Sequence, residues 1–206
     1  MHNPFYIRPA YFLFSLFFPS KVYNKENLPK GRAVFVANHY TALDPCYMFR
    51  FYKKNIYFLA KKEAMQKKVS SALLKNAGAI PIDRENNDVR AMMNAMKVLK
   101  EDNKLVIFPE GTRNKKSEEL QELKGGAGLF AVRTKSPIVP VMFYNRAKIF
   151  RRVYFIIGEP FELTEYYDKK LTQEDYEKID SIIREKMIET RKKLIELREK
   201  KKKKCK

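Results

Sequence analysis

Six short apolar runs punctuate this chain: Ala33–Ala37, Ile56–Ala60, Ala79–Ile82, Lys104–Phe108, Ile138–Tyr144 and Val153–Ile157. Each is bounded by turn residues and apolar at consecutive positions, the pattern of a strand covered on both faces. Between them lie segments of helical character over residues 45–52, 62–76, 87–101 and 127–134, with a long final helix over residues 172–198. Asn76-Ala77-Gly78 reads as a helix stop, and Gly125-Gly126-Ala127-Gly128 as a loop entering the fourth helix. That glycine run lacks the spacing of a nucleotide-binding loop. The helix over 87–101 carries Val89, Met92, Met93, Met96 and Leu99 on one side; the last carries Tyr176, Ile179, Ile183, Met187 and Leu194. A further short strand is expected over residues 22–27. This alternation predicts an α/β fold: a single domain, with a layered and largely parallel sheet and flanking helices. Ligands of such sheets collect beyond the carboxyl ends of the strands. The residues just past each run are therefore where chemistry is expected.

His39 stands there, two residues after Ala37, and Asp44 follows five residues later. The only other histidine is His2, so His39 is the leading candidate for proton transfer near neutral pH. An aspartate nearby can hold one ring nitrogen and leave the other free to take a proton. Asp44-Pro45 also reads as a plain helix start, with Asp accepting free N–H groups and Pro at the first helical position. A carboxylate has enough acceptor directions for both roles. Past two other runs stand Asp83 and Arg84, and the loop Pro109-Glu110-Gly111-Thr112-Arg113.

Together these blocks resemble the glycerolipid acyltransferase family, whose best-known members are 1-acylglycerol-3-phosphate acyltransferases. Its Asn-His-x4-Asp block is matched by Asn38, His39 and Asp44, and its Gly-x5-Arg block by Gly78 and Arg84. Its Glu-Gly-Thr-Arg block is matched without change at residues 110–113, and its apolar strand with proline by Ile138-Val139-Pro140-Val141. Glu26-Asn27-Leu28-Pro29 and Lys61-Lys62-Glu63 are similar to further family features. Thr41 replaces a frequent serine but keeps the hydroxyl, and the long hydrophobic N-terminal helices of many relatives are missing.

The resemblance implies a glycerol-3-phosphate acyltransferase-like domain. Its expected reaction moves a fatty acyl group from a thioester, on coenzyme A or acyl carrier protein, to the free hydroxyl of 1-acylglycerol 3-phosphate, giving phosphatidic acid. His39 would be the general base and Asp44 its orienting carboxylate, with no acyl-enzyme intermediate, no metal and no further cofactor. Arg113, Thr112 and Gly111 would meet the phosphate, with Arg84 and Lys61 in support. Glu110 would orient Arg113 or its loop, because a carboxylate repels phosphate. Another lysophospholipid, or glycerol 3-phosphate itself, is the alternative acceptor. A non-catalytic peripheral membrane protein is the alternative outside enzymology.

Net charge is +19, from 43 basic and 24 acidic residues, which calls for an anionic partner. No helix-turn-helix, zinc-finger or RNA-binding pattern points to nucleic acid, so an anionic membrane surface and a lysophospholipid are the expected partners. Cys46 and Cys205 form neither a disulfide framework nor a metal spacing. Cys46 has a nucleophile reading and a buried-hydrophobe reading. The aromatic stretch Ala10–Phe18, between Pro9 and Pro19 and flanked by Arg8 and Lys21, is too short to span a bilayer. It suits an interfacial segment over residues 1–21, or a strip packed on the core. The acyltransferase domain is then expected over residues 22–198. Residues 199–206 read as a disordered, solvated basic tail that can touch anionic lipid. The expected location is the cytoplasmic face of the cell membrane, peripheral or monotopic.

Overall fold

The computed structural model describes residues 4–52, 55–66, 68–83, 86, 88–115, 117 and 119–204. In chain order it contains helix α1 (Pro4–Phe17), strand β1 (Ser20–Tyr23), β2 (Ala33–Ala37), β3 (Ile56–Lys61), helix α2 (Lys68–Asn76) and β4 (Ala79–Ile82). Helix α3 (Val89–Lys100), β5 (Lys104–Ile107), α4 (Ala127–Thr134), β6 (Ile138–Phe143), β7 (Val153–Ile157) and α5 (Gln173–Lys204) follow. The seven strands form one sheet in the order β1-β7-β6-β2-β5-β3-β4. β6, β2, β5, β3 and β4 run parallel; β7 is antiparallel to β6, and β1 is parallel to β7.

Burial explains why the strands read as unbroken apolar runs. In β2, Val34 and Val36 face a core roofed by α3, α4 and α5. Ala33, Phe35 and Ala37 face the opposite core, with Tyr47, Met48, Phe143 and Phe155. Successive side chains point to opposite faces of a strand, so a sheet covered on both sides needs an apolar residue at every position.

Several expectations are corrected. The first strand ends at Tyr23, not residue 27, because Asn24 turns into the left-handed region (φ 54°) and a 3-10 turn follows. Residues 44–50 form a 3-10 segment, and residues 62–65 a 3-10 turn that seats Met65 in the core ahead of α2. The stripe assigned to α3 is rotated. Val89 and Met93 are exposed, while Ala91, Ala95, Val98 and Leu99 are buried, since small alanines let the helix lie close on the sheet. The α5 stripe stands, with Ile179, Ile183, Met187 and Leu194 fully buried. The basic tail is not an extension of coil: α5 runs on to Lys204. Lys, Arg and Glu are good helix formers, and the Arg198 guanidinium lies 3.4 Å over the Tyr154 ring.

Gly128 is where α4 meets α5. A Cβ there would collide with the Ile179 side chain. Gly128→Val should therefore push the helices apart and lower stability by about 1–3 kcal/mol, read as a lower urea midpoint at unchanged m-value. A midpoint equal to that of the wild type would show that the helices can slide.

Candidate active site

β2 delivers His39 to the carboxyl end of the parallel strands, and β5 delivers Phe108–Arg113 beside it, since β2 and β5 are neighbours. The side chain of Asn38 continues the β2–β6 ladder past the end of β2. It donates to the Phe143 carbonyl (3.1 Å) and accepts the Phe143 N–H (2.7 Å). This pins the residue before the histidine. The imidazole stacks on the Phe108 ring, with centroids 4.1 Å apart and planes 25° from parallel.

Asp44 closes a tight turn under the ring. Its Oδ2 lies 2.9 Å from His39 Nδ1 and accepts the N–H groups of Tyr40 (2.7 Å) and Thr41 (2.8 Å). Its Oδ1 accepts the Thr41 hydroxyl at 2.7 Å. An ionised carboxylate can only accept, so Nδ1 is the donor of this bond, and in the neutral ring Nε2 is then left with the lone pair. Asp44 is 2 % exposed, yet the His39 side chain keeps 16 % of its surface open. Asp44 is thus not the cap of the following segment, whose capping position is Leu43. These four hydrogen bonds all go to the histidine turn.

Glu110 sits beneath this turn at 1 % exposure. Its Oε1 accepts the His39 backbone N–H (2.8 Å) and its Oε2 the Gln121 N–H (3.2 Å). Burial raises its pKa, and these two N–H groups oppose the rise. It therefore holds the histidine backbone, where the sequence suggested Arg113 or the loop as its charge. Asn114 completes the frame by donating its N–H to the His39 carbonyl at 2.7 Å. Arg146 binds the carbonyls of Asn114 and Ser117 and lies 5.2 Å from the Tyr40 ring centre, and Arg191 donates to the Tyr40 hydroxyl.

Phe108, on which the ring stacks, also lines a cleft of about 690 Å³, although His39 is not itself among the lining residues. The cleft walls are apolar, from Leu59, Ile82, Met92, Ile107, Leu129 and Phe130, and the polar lining carries both signs of charge, with Lys61 and Lys124 beside Thr112 and Gly111, and Asp83, Asn86 and Asp88. Gly111 has φ +69°, and a Cβ there would strike the aliphatic stem of Lys124, so glycine lets the two loops close. Lys61 ends β3 and pairs with Glu63 at 3.7 Å. Arg113 is exposed, directly after Thr112 and outside the lining residues. Arg84 lies outside the described residues.

Cys46 does not suit nucleophilic work. Burial, helped by the Asp44 charge, pushes its thiol up to about 11. Among the described residues, no three His, Cys, Asp or Glu side chains converge as a metal site would need. Sequence reading missed Phe108, Asn114, Gln121, Lys124 and Arg146. Only Asn114 carried a signal, as an amide directly following residues 110–113.

Residues 19–144 match the family model described as Acyltransferase. A Bacillus subtilis protein named 1-acyl-sn-glycerol-3-phosphate acyltransferase is 35 % identical over 153 residues, 71 % of this chain and 75 % of the relative. A Streptococcus pneumoniae protein of the same name is 33 % identical over 166 residues, 76 % of this chain but 60 % of the relative. The crystal structure of the 1-acyl-sn-glycerophosphate (LPA) acyltransferase from Thermotoga maritima shares the fold, with TM-score 0.65 and 23 % identity over 90 % of this chain and 77 % of that one. With the family match covering more than half of its residues, this chain belongs to the acyltransferase family.

Proposed function

We propose that this protein transfers a fatty acyl group from an acyl thioester to the free hydroxyl of 1-acylglycerol 3-phosphate, giving phosphatidic acid. The carrying observation is the His39–Asp44 pair, with the His39 backbone held by Glu110 and Asn114, and its ring partly exposed and stacked on Phe108, a wall residue of an apolar cleft. The acceptor hydroxyl gives its proton to His39 Nε2 as its oxygen attacks the thioester carbonyl. Asp44 stabilises the imidazolium. Collapse of the tetrahedral intermediate breaks the C–S bond, and the departing thiolate takes the proton back from His39. The enzyme thus returns to its starting state without covalent chemistry of its own.

The apolar walls suit a fatty chain, and the volume is that of an ordinary ligand cleft. Lys61, Lys124 and the Thr112 hydroxyl offer donors to a phosphate at the polar lining, and Arg113, exposed and next in sequence to Thr112, is a further candidate donor. The names borne by the relatives favour lysophosphatidic acid as acceptor. Coenzyme A and acyl carrier protein both supply the required thioester. We place the protein on the cytoplasmic face of the membrane, with α1 as its contact. No helix among the described residues is long and apolar enough to cross a bilayer.

The test is a thiol-release assay with lysophosphatidic acid against other lysophospholipids and glycerol 3-phosphate, run with both thioester donors. Turnover with lysophosphatidic acid alone is expected; preference for another acceptor would reassign the substrate. Arg113→Ala and Lys61→Ala should each raise KM for the phosphate-bearing acceptor roughly ten- to hundredfold, the loss of one hydrogen bond to a charged group. The KM for the thioester should hold.

A further inference from the structure

Over residues 11–17, α1 shows apolar side chains on both its inward and its outward face. Phe14 and Phe18 pack inward, with the Phe14 ring 5.2 Å from that of Tyr47. The outward face is apolar as well: Phe12, Leu13, Leu16 and Phe17 are 66, 58, 54 and 42 % exposed. A surface helix normally turns polar residues to water. The same apolar surface continues onto a second element. The β6–β7 connection ends in a tight turn, Lys148–Arg151, with Ile149 63 % and Phe150 73 % exposed. The Phe150 N–H donates to the Phe17 carbonyl at 2.7 Å, and the two rings lie 5.7 Å apart.

Phe150 also has φ +57°. A bulky residue in the left-handed region is uncommon and strained, and this one also leaves most of its surface exposed. The two segments that carry the patch hold charge of one sign only. Residues 1–23 and 144–157 contain Arg8, Lys21, Arg146, Lys148, Arg151 and Arg152 and no acidic residue. Lys21, on β1, is further crowded by Lys201 of α5, which depresses its pKa, with Arg152 adding to the effect. β7 is antiparallel to β6 and β1 parallel to β7, so the turn and the α1–β1 junction both lie at the carboxyl end of the parallel strands. His39 lies at that end too.

We infer that the Lys148–Arg151 turn is a second bilayer-insertion element, joined to α1, which seats the enzyme with its active-site end on an anionic lipid surface. This rests on the membrane contact proposed for α1 and adds the turn and the orientation. A second copy of the chain is a poorer occupant, because a symmetric contact would bring six basic residues against six others. An anionic bilayer meets both the apolar centre and the basic rim.

The test is co-sedimentation of the full chain with phosphatidylcholine vesicles, with and without phosphatidylglycerol. The wild type should bind the anionic vesicles and weaken with salt. The double variant Ile149→Ser, Phe150→Asn should lose roughly tenfold in partitioning. Its Tm should hold or rise, because Asn tolerates positive φ. The sequence has no tryptophan, so Phe150→Trp is a single reporter whose emission should shift to the blue on anionic vesicles. Wild-type binding by the double variant, with loss in Phe12→Ser, Leu16→Ser, would overturn the turn's role and leave that of α1 intact. No loss in either variant would overturn both. An unshifted Phe150→Trp emission on bound vesicles, or a dimer broken by the double variant without vesicle binding, would also sink the inference.

Discussion

His39→Ala should lower kcat by roughly 10³-fold or more, near the upper range for removing a general base, with KM changed little. The imidazole makes one side-chain hydrogen bond, to Asp44, and one stacking contact, to Phe108. Its backbone ties to Glu110 and Asn114 survive the substitution. The variant should therefore fold, bind thioester and stay inactive in the thiol-release assay. Asp44→Asn distinguishes a positioned base from an isolated one. The amide keeps the shape but places a donor among groups that all donate: His39 Nδ1–H, Tyr40 N–H, Thr41 N–H and the Thr41 hydroxyl. The turn must distort or the imidazole change tautomer, and kcat should fall by roughly 10²-fold or more. Retention of more than a tenth of wild-type kcat by His39→Ala would remove the histidine from the chemistry.

The sheet was legible because its strands are covered on both faces, which forces uninterrupted apolar runs such as Ala33–Ala37 and Ile138–Phe143. Strand order was not, since the reversal of β7 depends on a turn at Lys148–Arg151 that no periodicity announces. Helix faces were read correctly where large residues mark them, as in α5. They were misread in α3, where buried alanines carry less hydrophobic signal than exposed Val89 and Met93. At the site, His39 and Asp44 were visible because five residues of one turn bring them together. The Glu110–His39 contact spans 71 positions. It exists only because β2 and β5 are adjacent, and a carboxylate accepting backbone N–H groups leaves no trace in the partner's side-chain identity.

That long-range contact carries the second large effect. Glu110→Ala would orphan the N–H groups of His39 and Gln121, at about 1–3 kcal/mol for each group left unsatisfied in the interior, and release the histidine turn from the loop over residues 109–113. Glu110→Gln keeps the volume but offers one acceptor and one donor where two N–H groups point inward. It should fold with reduced stability and, if His39 is the base proposed above, lose kcat more than it raises KM, because the cleft stays in place. The two forms also separate by pH. Burial raises the folded-state pKa of Glu110, so above the ordinary glutamate value the folded protein holds a proton that the unfolded chain has released. Stability then falls as pH rises through that window. The Gln variant does not titrate there, so the stability difference, wild type minus variant, should shrink as pH climbs from the ordinary glutamate value to the raised one. A difference that grows over that range would mean the carboxylate is stabilised by its two N–H partners more than burial penalises it. A kcat equal to the wild type would show that His39 needs no support from the neighbouring strand.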